Sequence, residues 1–311
     1  MIKNPITFFL AQDQESDLPQ ENKLPLLINN KLEELTAEDI AVGDDIVDIR
    51  NYAFRDMSLI KVTLPIQTRN IGQYAFYNNQ KLEQINFPQG LEIISVYSFQ
   101  DCTNLKVDVD LKNTNVRTIG YYAFRNCGIK SLILPKNISV DVNFCSNCKE
   151  LERVYFSYPT TFKSGATIET CTALKRVEFE EGFTEITNAN KTFQWSSAIK
   201  FIIPSSATNL YGLLVETGVQ NLIVKAETPP TVSSAITGFN YIFVPTASIS
   251  QYKSATNWSA SNKYYPLVNT YEDLSSATNY EYACVIGNDL GIEDENNYKI
   301  YQYIDGQWYE V

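Results

Sequence analysis

Apolar positions recur along the chain from Ile49 onward, with a period in the low twenties. Four copies of the first half of the pattern read Ile49-Arg-Asn-Tyr-Ala-Phe54, Ile71-Gly-Gln-Tyr-Ala-Phe76, Ile94-Ser-Val-Tyr-Ser-Phe99 and Ile119-Gly-Tyr-Tyr-Ala-Phe124. A fixed period of this length is typical of a solenoid, in which each unit buries its apolar face only against its neighbours. The pattern therefore predicts a stack of similar turns.

The second half of each unit has the alternation of a short strand. Examples are Leu82-Glu-Gln-Ile85-Asn-Phe87-Pro88, Ile129-Lys-Ser-Leu132-Ile-Leu134-Pro135, Leu151-Glu-Arg-Val154-Tyr-Phe156 and Leu174-Lys-Arg-Val177-Glu-Phe179. Because strand side chains point alternately to opposite faces, every second residue is expected to point into the core. Stacked units would then form one parallel sheet, with the Ile-x-x-x-Ala-Phe halves as the opposite wall, where the phenylalanines are expected to fill the interior.

Alignment on the phenylalanine position predicts eight units, spaced 21 to 25 residues apart. The aligned residues are Phe54, Phe76, Phe99, Phe124, Cys145, Ile168, Phe193 and Leu214. A degenerate ninth unit is predicted at Tyr241–Pro245.

These repeats resemble the bacterial leucine-rich repeats of the BspA-like type, over about residues 46–266. The shared features are the Ala-Phe pair, the Cys or Asn turn that follows it, and the Leu-x-x-Ile-x-Leu-Pro strand. The resemblance implies a right-handed leucine-rich-repeat solenoid with a parallel sheet on one face and an irregular or short helical opposite wall. It also implies a non-catalytic role in binding or adhesion, at the bacterial cell surface or after secretion, with a phage-like particle or the cytoplasm as alternatives.

Two segments flank the repeats. Residues 1–45 are expected to form a polar N-terminal cap, since an open solenoid end needs one, and residues 250–258 a short amphipathic helix whose Tyr252 and Trp258 close the other end. Residues 267–311 are predicted to form a small β module built on a hairpin, because Tyr-rich alternating segments flank an Asp305-Gly306 turn. This module resembles the small C-terminal modules of phage tail and other bacterial surface-recognition proteins.

Composition narrows the possible functions. The formal net charge is −11 without a basic tract, so nucleic acid and anionic membranes are not expected partners, and no apolar run is long enough for a membrane span. The apolar run near the N-terminus is shorter than that of a typical secretory leader, so export would need another route or a leader outside this sequence. The chain has no histidine, the commonest general base and transition-metal ligand, so no enzyme activity, catalytic residue or cofactor is predicted.

Two groups of residues are of types that bind metals or act in catalysis, but their patterns favour structural roles. Cysteines that recur once per unit lie along a line rather than converging on a zinc ion, so we expect a ladder of buried free thiols and no metal site. Paired or clustered carboxylates are expected to be solvated, because they match neither an EF-hand loop nor an acid/base pair with a nucleophile. The residues concerned are Cys102, Cys127, Cys148 and Cys171, and then Asp108, Asp110, Asp289, Glu293, Asp294 and Glu295.

The outward positions of the predicted sheet suggest a binding surface. They form two columns, which turn from polar to basic and apolar in the later units. Exposed apolar area rimmed by charge usually marks an interaction site. The predicted ligand-binding residues are Arg153, Tyr155, Arg176, Glu178, Lys200, Ile202, Ile223 and Phe243.

Three functions remain open from the sequence. The first is recognition of a protein or acidic glycan by the sheet face, unless the C-terminal module or another copy covers that face. The second is a structural or receptor-recognition role in a phage-like particle or surface assembly. The third is glycan hydrolysis in the terminal module, but without a clearly placed carboxylate pair its tyrosines and Trp308 would support carbohydrate binding at most.

Overall fold

The computed structural model describes residues 47–141, 143–162, 168–186, 200–211, 220–233, 235–236, 238–258, 263–287 and 298–311. Several sequence predictions lie outside these residues. They are the N-terminal cap, the repeat positions Phe193 and Leu214, and the acidic residues Asp289, Glu293, Asp294 and Glu295.

Short strands make up most of the regular structure. Those of the first half are β1 Asp48–Ile49, β2 Lys61–Val62, β3 Asn70–Ile71, β4 Gln84–Ile85, β5 Ile93–Ile94, β6 Asp108–Asp110, β7 Thr118–Ile119, β8 Ser131–Leu134, β9 Ile138–Val140, β10 Arg153–Phe156 and β11 Thr160–Phe162. The second half contains β12 Arg176–Phe179, β13 Lys200–Ile203, β14 Asn221–Val224, β15 Tyr241–Pro245, β16 Tyr264–Val268, β17 Tyr282–Val285, β18 Lys299–Ile304 and β19 Gln307–Glu310. One α-helix, α1 Ile249–Ser254, and 3₁₀ helices at Thr246–Ser248 and Glu272–Ala277 complete the described elements.

The strands stack into a parallel β-solenoid of about eight turns, as the repeat period predicts. The front sheet has 11 strands in the order β19-β18-β17-β16-β15-β14-β13-β12-β10-β8-β6, and β2 pairs with β4 on the same side of the first turns. A back sheet of six short strands, β1-β3-β5-β7-β9-β11, forms part of the opposite wall. The solenoid strands are parallel because each turn returns the chain to the start of the next one.

A ladder of aromatic rings fills the core of the first turns. The rings of Phe54, Phe76, Phe99 and Phe124 are stacked, with centroids 5.2, 5.2 and 5.3 Å apart and interplanar angles of 9° or less. One stacked ring per turn follows directly from the rung spacing of about 4.8 Å, which suits offset aromatic stacking. The predicted inward position of these phenylalanines is confirmed.

A second ladder runs beside the rings, at the turn that follows each of them. The side chain of Asn79 donates to the carbonyl oxygen of Phe54 at 2.7 Å. The thiols of Cys102, Cys127 and Cys148 donate likewise to the carbonyls of Phe76, Phe99 and Phe124, at 3.1, 2.9 and 2.9 Å. The donors occupy equivalent positions, and each one donates to a buried backbone carbonyl of the preceding turn. This shared role explains why either Asn or Cys can occupy the position.

Replacing Cys127 by alanine is expected to lower the free energy of unfolding by about 2 kcal/mol, because the Phe99 carbonyl loses its buried partner. Urea denaturation of the full chain measures this. Cys284→Ala is the matched control, since Cys284 is equally buried but donates to no carbonyl among the described residues. Its loss should be smaller by about 1 kcal/mol, and equal losses in the two variants would remove the thiol–carbonyl bond as a source of stability.

The back-wall turns use the left-handed backbone region at aromatic residues. Tyr52, Tyr74, Tyr97 and Tyr122 have φ values of 63°, 55°, 59° and 55°. This region is costly for a bulky L-residue. The stacking of Tyr74 between Tyr52 and Tyr97, at 5.2 and 4.6 Å, offsets part of that cost.

The C-terminal strands continue the front sheet. β16 and β17 add to it in parallel, and the hairpin of β18 and β19 then adds two antiparallel strands. The hairpin turn lies at Asp305 and Gly306, with φ values of 49° and 86°, as the sequence predicts. β16 runs across the domain boundary predicted between residues 266 and 267. The division of the chain into separate domains stays a prediction.

Helix α1 lies on the wall opposite this part of the sheet. Tyr252 and Trp258 are buried there, and they donate to the carbonyl oxygens of Ala226 and Pro230, both at 2.7 Å. The two aromatic residues therefore anchor the predicted helical segment to the core of the last turns.

Candidate functional site

The two predicted columns exist, and their register is as the repeat alignment indicates. In the first column Arg153 pairs with Arg176, Arg176 with Lys200, Lys200 with Asn221, and Asn221 with Tyr241. The second column aligns in the same way and contains Tyr155, Glu178, Ile202, Ile223 and Phe243. Both columns lie on the side of the front sheet that faces away from the ring ladder.

The exposure predicted for the later residues of these columns is wrong. Ile202, Ile223 and Phe243 are each 0% exposed. They belong to a second hydrophobic core on the outer side of the sheet, together with Leu267, Cys284, Tyr298 and Ile300. The alternative in which the C-terminal segment covers this face is therefore the correct one, and these three apolar residues are not open to a ligand.

Curling of the front sheet produces this second core. The hydroxyl of Tyr298, directly before β18, lies 3.3 Å from Oε1 of Glu178 in β12. Five strands separate β18 from β12 in the sheet, which in a flat sheet would place them about 29 Å apart at about 4.8 Å per strand. Direct contact thus requires the second half of the sheet to bend round until its outer face closes on itself.

The predicted ligand contacts Arg176 and Glu178 lie inside this closure. Both are 7% exposed, and Nη2 of Arg176 lies 2.5 Å from Oε2 of Glu178. The guanidinium also lies over the ring of Tyr298, 4.8 Å from its centroid. Their exposure was predicted wrongly, because the two residues form an internal ion pair that the C-terminal strands cover.

The open part of the front face lies over the earlier strands. Six exposed polar side chains project from β2, β4, β6 and the adjacent residues. Half-buried Arg153 and Tyr155 lie beyond them on β10, across the buried outward residues Ser131 and Ile133 of β8. The ammonium of Lys112 lies 5.8 Å from the ring centroid of Tyr155. The six are Lys61, Thr63, Gln84, Asn86, Asp108 and Asp110, and the outward position predicted for the two aspartates is confirmed.

The residues at the C-terminal end of the first column are only partly covered. Lys200, Tyr241 and the neighbouring Tyr282 are half-buried on the concave side of the curled sheet, around the more deeply buried Asn221. Burial lowers the pKa of Lys200 below the usual lysine value. The sequence predicted Asn221 as an outward residue but did not group it with Tyr282, because that grouping depends on the curl.

The cysteine positions show no converging metal site. All six cysteines are buried free thiols, and within the described ranges no group of three or more His, Cys, Asp or Glu residues is arranged to hold a metal ion. The sulfurs of Cys145 and Cys148 are 3.6 Å apart. Burial raises the pKa of Cys102 to about 12, which is typical of a packed structural thiol.

These features define a leucine-rich-repeat solenoid whose front sheet is half open and half closed on itself. The sequence matches the family described as "BspA type Leucine rich repeat region" in six copies, over residues 29–152 and 109–213. The match extends over more than half of the chain, so this protein belongs to that family. The resemblance of residues 267–311 to phage tail modules lies beyond the matched region and stays a prediction.

Two solved structures are similar to this chain. A leucine-rich repeat protein from Bacteroides ovatus is 19% identical, with a TM-score of 0.44, over 82% of this chain and 70% of its own. The leucine-rich repeat protein of T. pallidum is 25% identical, with a TM-score of 0.42, over 50% of this chain and 74% of its own. No curated protein matches the sequence.

Family membership sets the general class of function. Proteins of this family generally act by binding or adhesion rather than by catalysis, and they are typically found at the cell surface or secreted. In the described part of the chain, no helix has the length and apolar character that crossing a bilayer requires.

Proposed function

We propose that this protein is a non-catalytic binding or adhesion protein, which recognises a protein or glycan ligand through the part of the front face that its own C-terminal strands leave open. The observation that carries this proposal is the open surface over β2, β4 and β6, with half-buried Arg153 and Tyr155 beyond it on β10. Tyr and Arg are enriched among the residues that dominate binding energy at interfaces.

The closed part of the front face supports the idea that the open part is a rigid binding surface. The C-terminal strands hold β12–β18 in a fixed curl through the second core and the contact between Tyr298 and Glu178. A partner that meets the open strands therefore finds a preorganised surface, which reduces the entropy lost on binding. A role in a phage-like particle has no specific observation in its favour and is not adopted.

Arg153→Glu tests this assignment. The full chain is applied to arrays of glycans and of surface and matrix proteins, beside the variant and the matched control Arg50→Glu. Arg50 is exposed on the back wall, so the control makes the same charge change away from the front face. We expect Arg153→Glu to weaken binding to the recognised component at least tenfold and Arg50→Glu to leave it unchanged. Absence of any bound component, or equal binding by both variants, would contradict the proposal.

A further inference from the structure

Asn221 carries a buried polar group that nothing in the described structure satisfies. It is the first residue of β14 and is 6% exposed, yet its Oδ1 atom has no hydrogen-bond partner within the described residues. A buried amide oxygen without a donor is destabilising, and most such groups in native proteins are paired. The position therefore calls for a hydrogen-bond donor that the described residues do not supply in this structure.

Lys200 lies beside Asn221, and the donors of its ammonium lack an acceptor among the described residues. The two residues are register partners on adjacent strands, so their side chains start about 5 Å apart on the same face. The ammonium of Lys200 makes no hydrogen bond or ion pair to the described residues, although burial lowers its pKa. The nearby charges are mixed, with Arg176 and Lys299 repelling the ammonium and Glu310 attracting it. Lys200 thus offers donors next to the acceptor of Asn221.

Tyrosines form the adjoining wall. Tyr241 is the next residue of the column, and its ring centroid lies 4.3 Å from that of Tyr282 and 5.6 Å from that of Tyr265. All three rings are half-buried, so part of each remains accessible. Their hydroxyls add donors and acceptors, and their rings add an apolar surface, next to the lysine and the amide.

The lysine, the amide and the tyrosines together indicate which class of ligand can bind here. The group that fills this place must accept a hydrogen bond from an ammonium and donate one to an amide oxygen. A carboxylate or a fully ionised phosphate accepts but cannot donate, so it would satisfy Lys200 and leave Asn221 unpaired. An alcohol does both. Neighbouring hydroxyls on a sugar ring repeat this pair of functions, while the C–H face of the ring packs against an aromatic side chain.

We infer that the concave side of the curled sheet holds a saccharide site formed by Lys200, Asn221, Tyr241 and Tyr282. One sugar hydroxyl accepts from Nζ of Lys200 and donates to Oδ1 of Asn221, and the ring packs against the tyrosines. This inference rests on the proposed binding function and specifies the class of ligand at the closed end of the same face. A peptide ligand, or a water molecule in place of the hydroxyl, is an outcome that the test distinguishes.

Two variants test the site in the full chain. Asn221→Leu removes the amide and Lys200→Met removes the ammonium, both with apolar side chains of similar size. The matched controls are Gln251→Leu and Lys253→Met, which make the same kinds of change at exposed positions on helix α1, away from the front face. The probes are an array of neutral and uronic-acid-containing oligosaccharides, with titration calorimetry on the oligosaccharide that binds best.

The expected result is binding of a neutral oligosaccharide by the wild type, weakened at least tenfold in Asn221→Leu and in Lys200→Met but unchanged in both controls. Asn221→Leu should also raise the melting temperature by about 2–4 °C, because an apolar group replaces an unpaired amide. Loss of binding in a more stable variant separates a ligand contact from a folding defect.

Three results would overturn the saccharide site. They are absence of saccharide binding by the wild type, binding confined to peptides or proteins, and saccharide binding that survives Asn221→Leu, which would leave water as the occupant. A protein ligand lost in Arg153→Glu would preserve the proposed function while removing this inference. Binding of nothing on either array would remove both.

Discussion

Glu178→Ala is expected to lower the free energy of unfolding by about 3–5 kcal/mol, because it breaks a buried ion pair by removing the carboxylate that contacts the guanidinium of Arg176. The two side chains form an ion pair beneath Tyr298, where little water remains to solvate the cation. Urea denaturation of the full chain, followed by tryptophan fluorescence, measures the loss.

Two further variants show that the effect comes from removing one member of a buried ion pair. Glu152→Ala removes one partner of an exposed ion pair, Lys175 to Glu152 at 2.9 Å, and should cost about 1 kcal/mol or less. The double variant Arg176→Met with Glu178→Leu removes both charges and should recover most of the lost stability. A single-variant loss as small as that of Glu152→Ala would mean that water reaches the pair.

Phe99→Ala is expected to lower the free energy of unfolding by about 3–5 kcal/mol through the cavity it creates. Phe99 is fully buried and stacks between Phe76 and Phe124, at 5.2 and 5.3 Å. Each turn packs mainly against its neighbours, so a cavity in one turn weakens two interfaces.

Phe99→Leu is the matched control for the ring itself. It keeps the position apolar and most of its volume, and should cost about 1.5 kcal/mol or less. The chain itself supports this tolerance, since Cys145 and Ile168 occupy the equivalent position in later turns and are both fully buried. Equal losses in the two variants would show that ring stacking, rather than filled volume, stabilises this position.

The repeat architecture could be predicted because its signal is local and recurs in every turn. Each unit places Ala-Phe, a hydrogen-bonding turn residue and a short alternating strand at nearly constant spacing, so errors in one copy are corrected by the next. The register from Arg153 to Asn221 followed from that spacing and is confirmed. Period-two alternation likewise separated core from outward positions.

Exposure of the outward positions could not be obtained in the same way. Alternation shows which side chains share a face, but it does not show what packs on that face. The covering residues Tyr298 and Ile300 come some 120 residues after Glu178 in sequence. A signal was present in the strands themselves, since Phe201, Ile202 and Ile203 are apolar without alternation, which is typical of a strand buried on both faces.

Two other features lack a sequence signal. Left-handed backbone is usually assigned to Gly, Asn or Asp, so nothing marked Tyr74 or Tyr97 as residues with positive φ. The grouping of Lys200 and Asn221 with Tyr282 depends on the bend of the sheet, which arises from long-range contacts rather than from local pattern.

The curled end of the front sheet also sets the number of repeats that this protein can tolerate. Between β12 and β18, adding or deleting one turn would displace Tyr298 by a strand width and separate it from Glu178. Insertions or deletions before β10 would leave that contact intact, because they lie outside the curl. Copy number should therefore vary among related chains at the amino-terminal side of the array and stay constant towards the carboxyl-terminal side, so that the array lengthens or shortens from one end only.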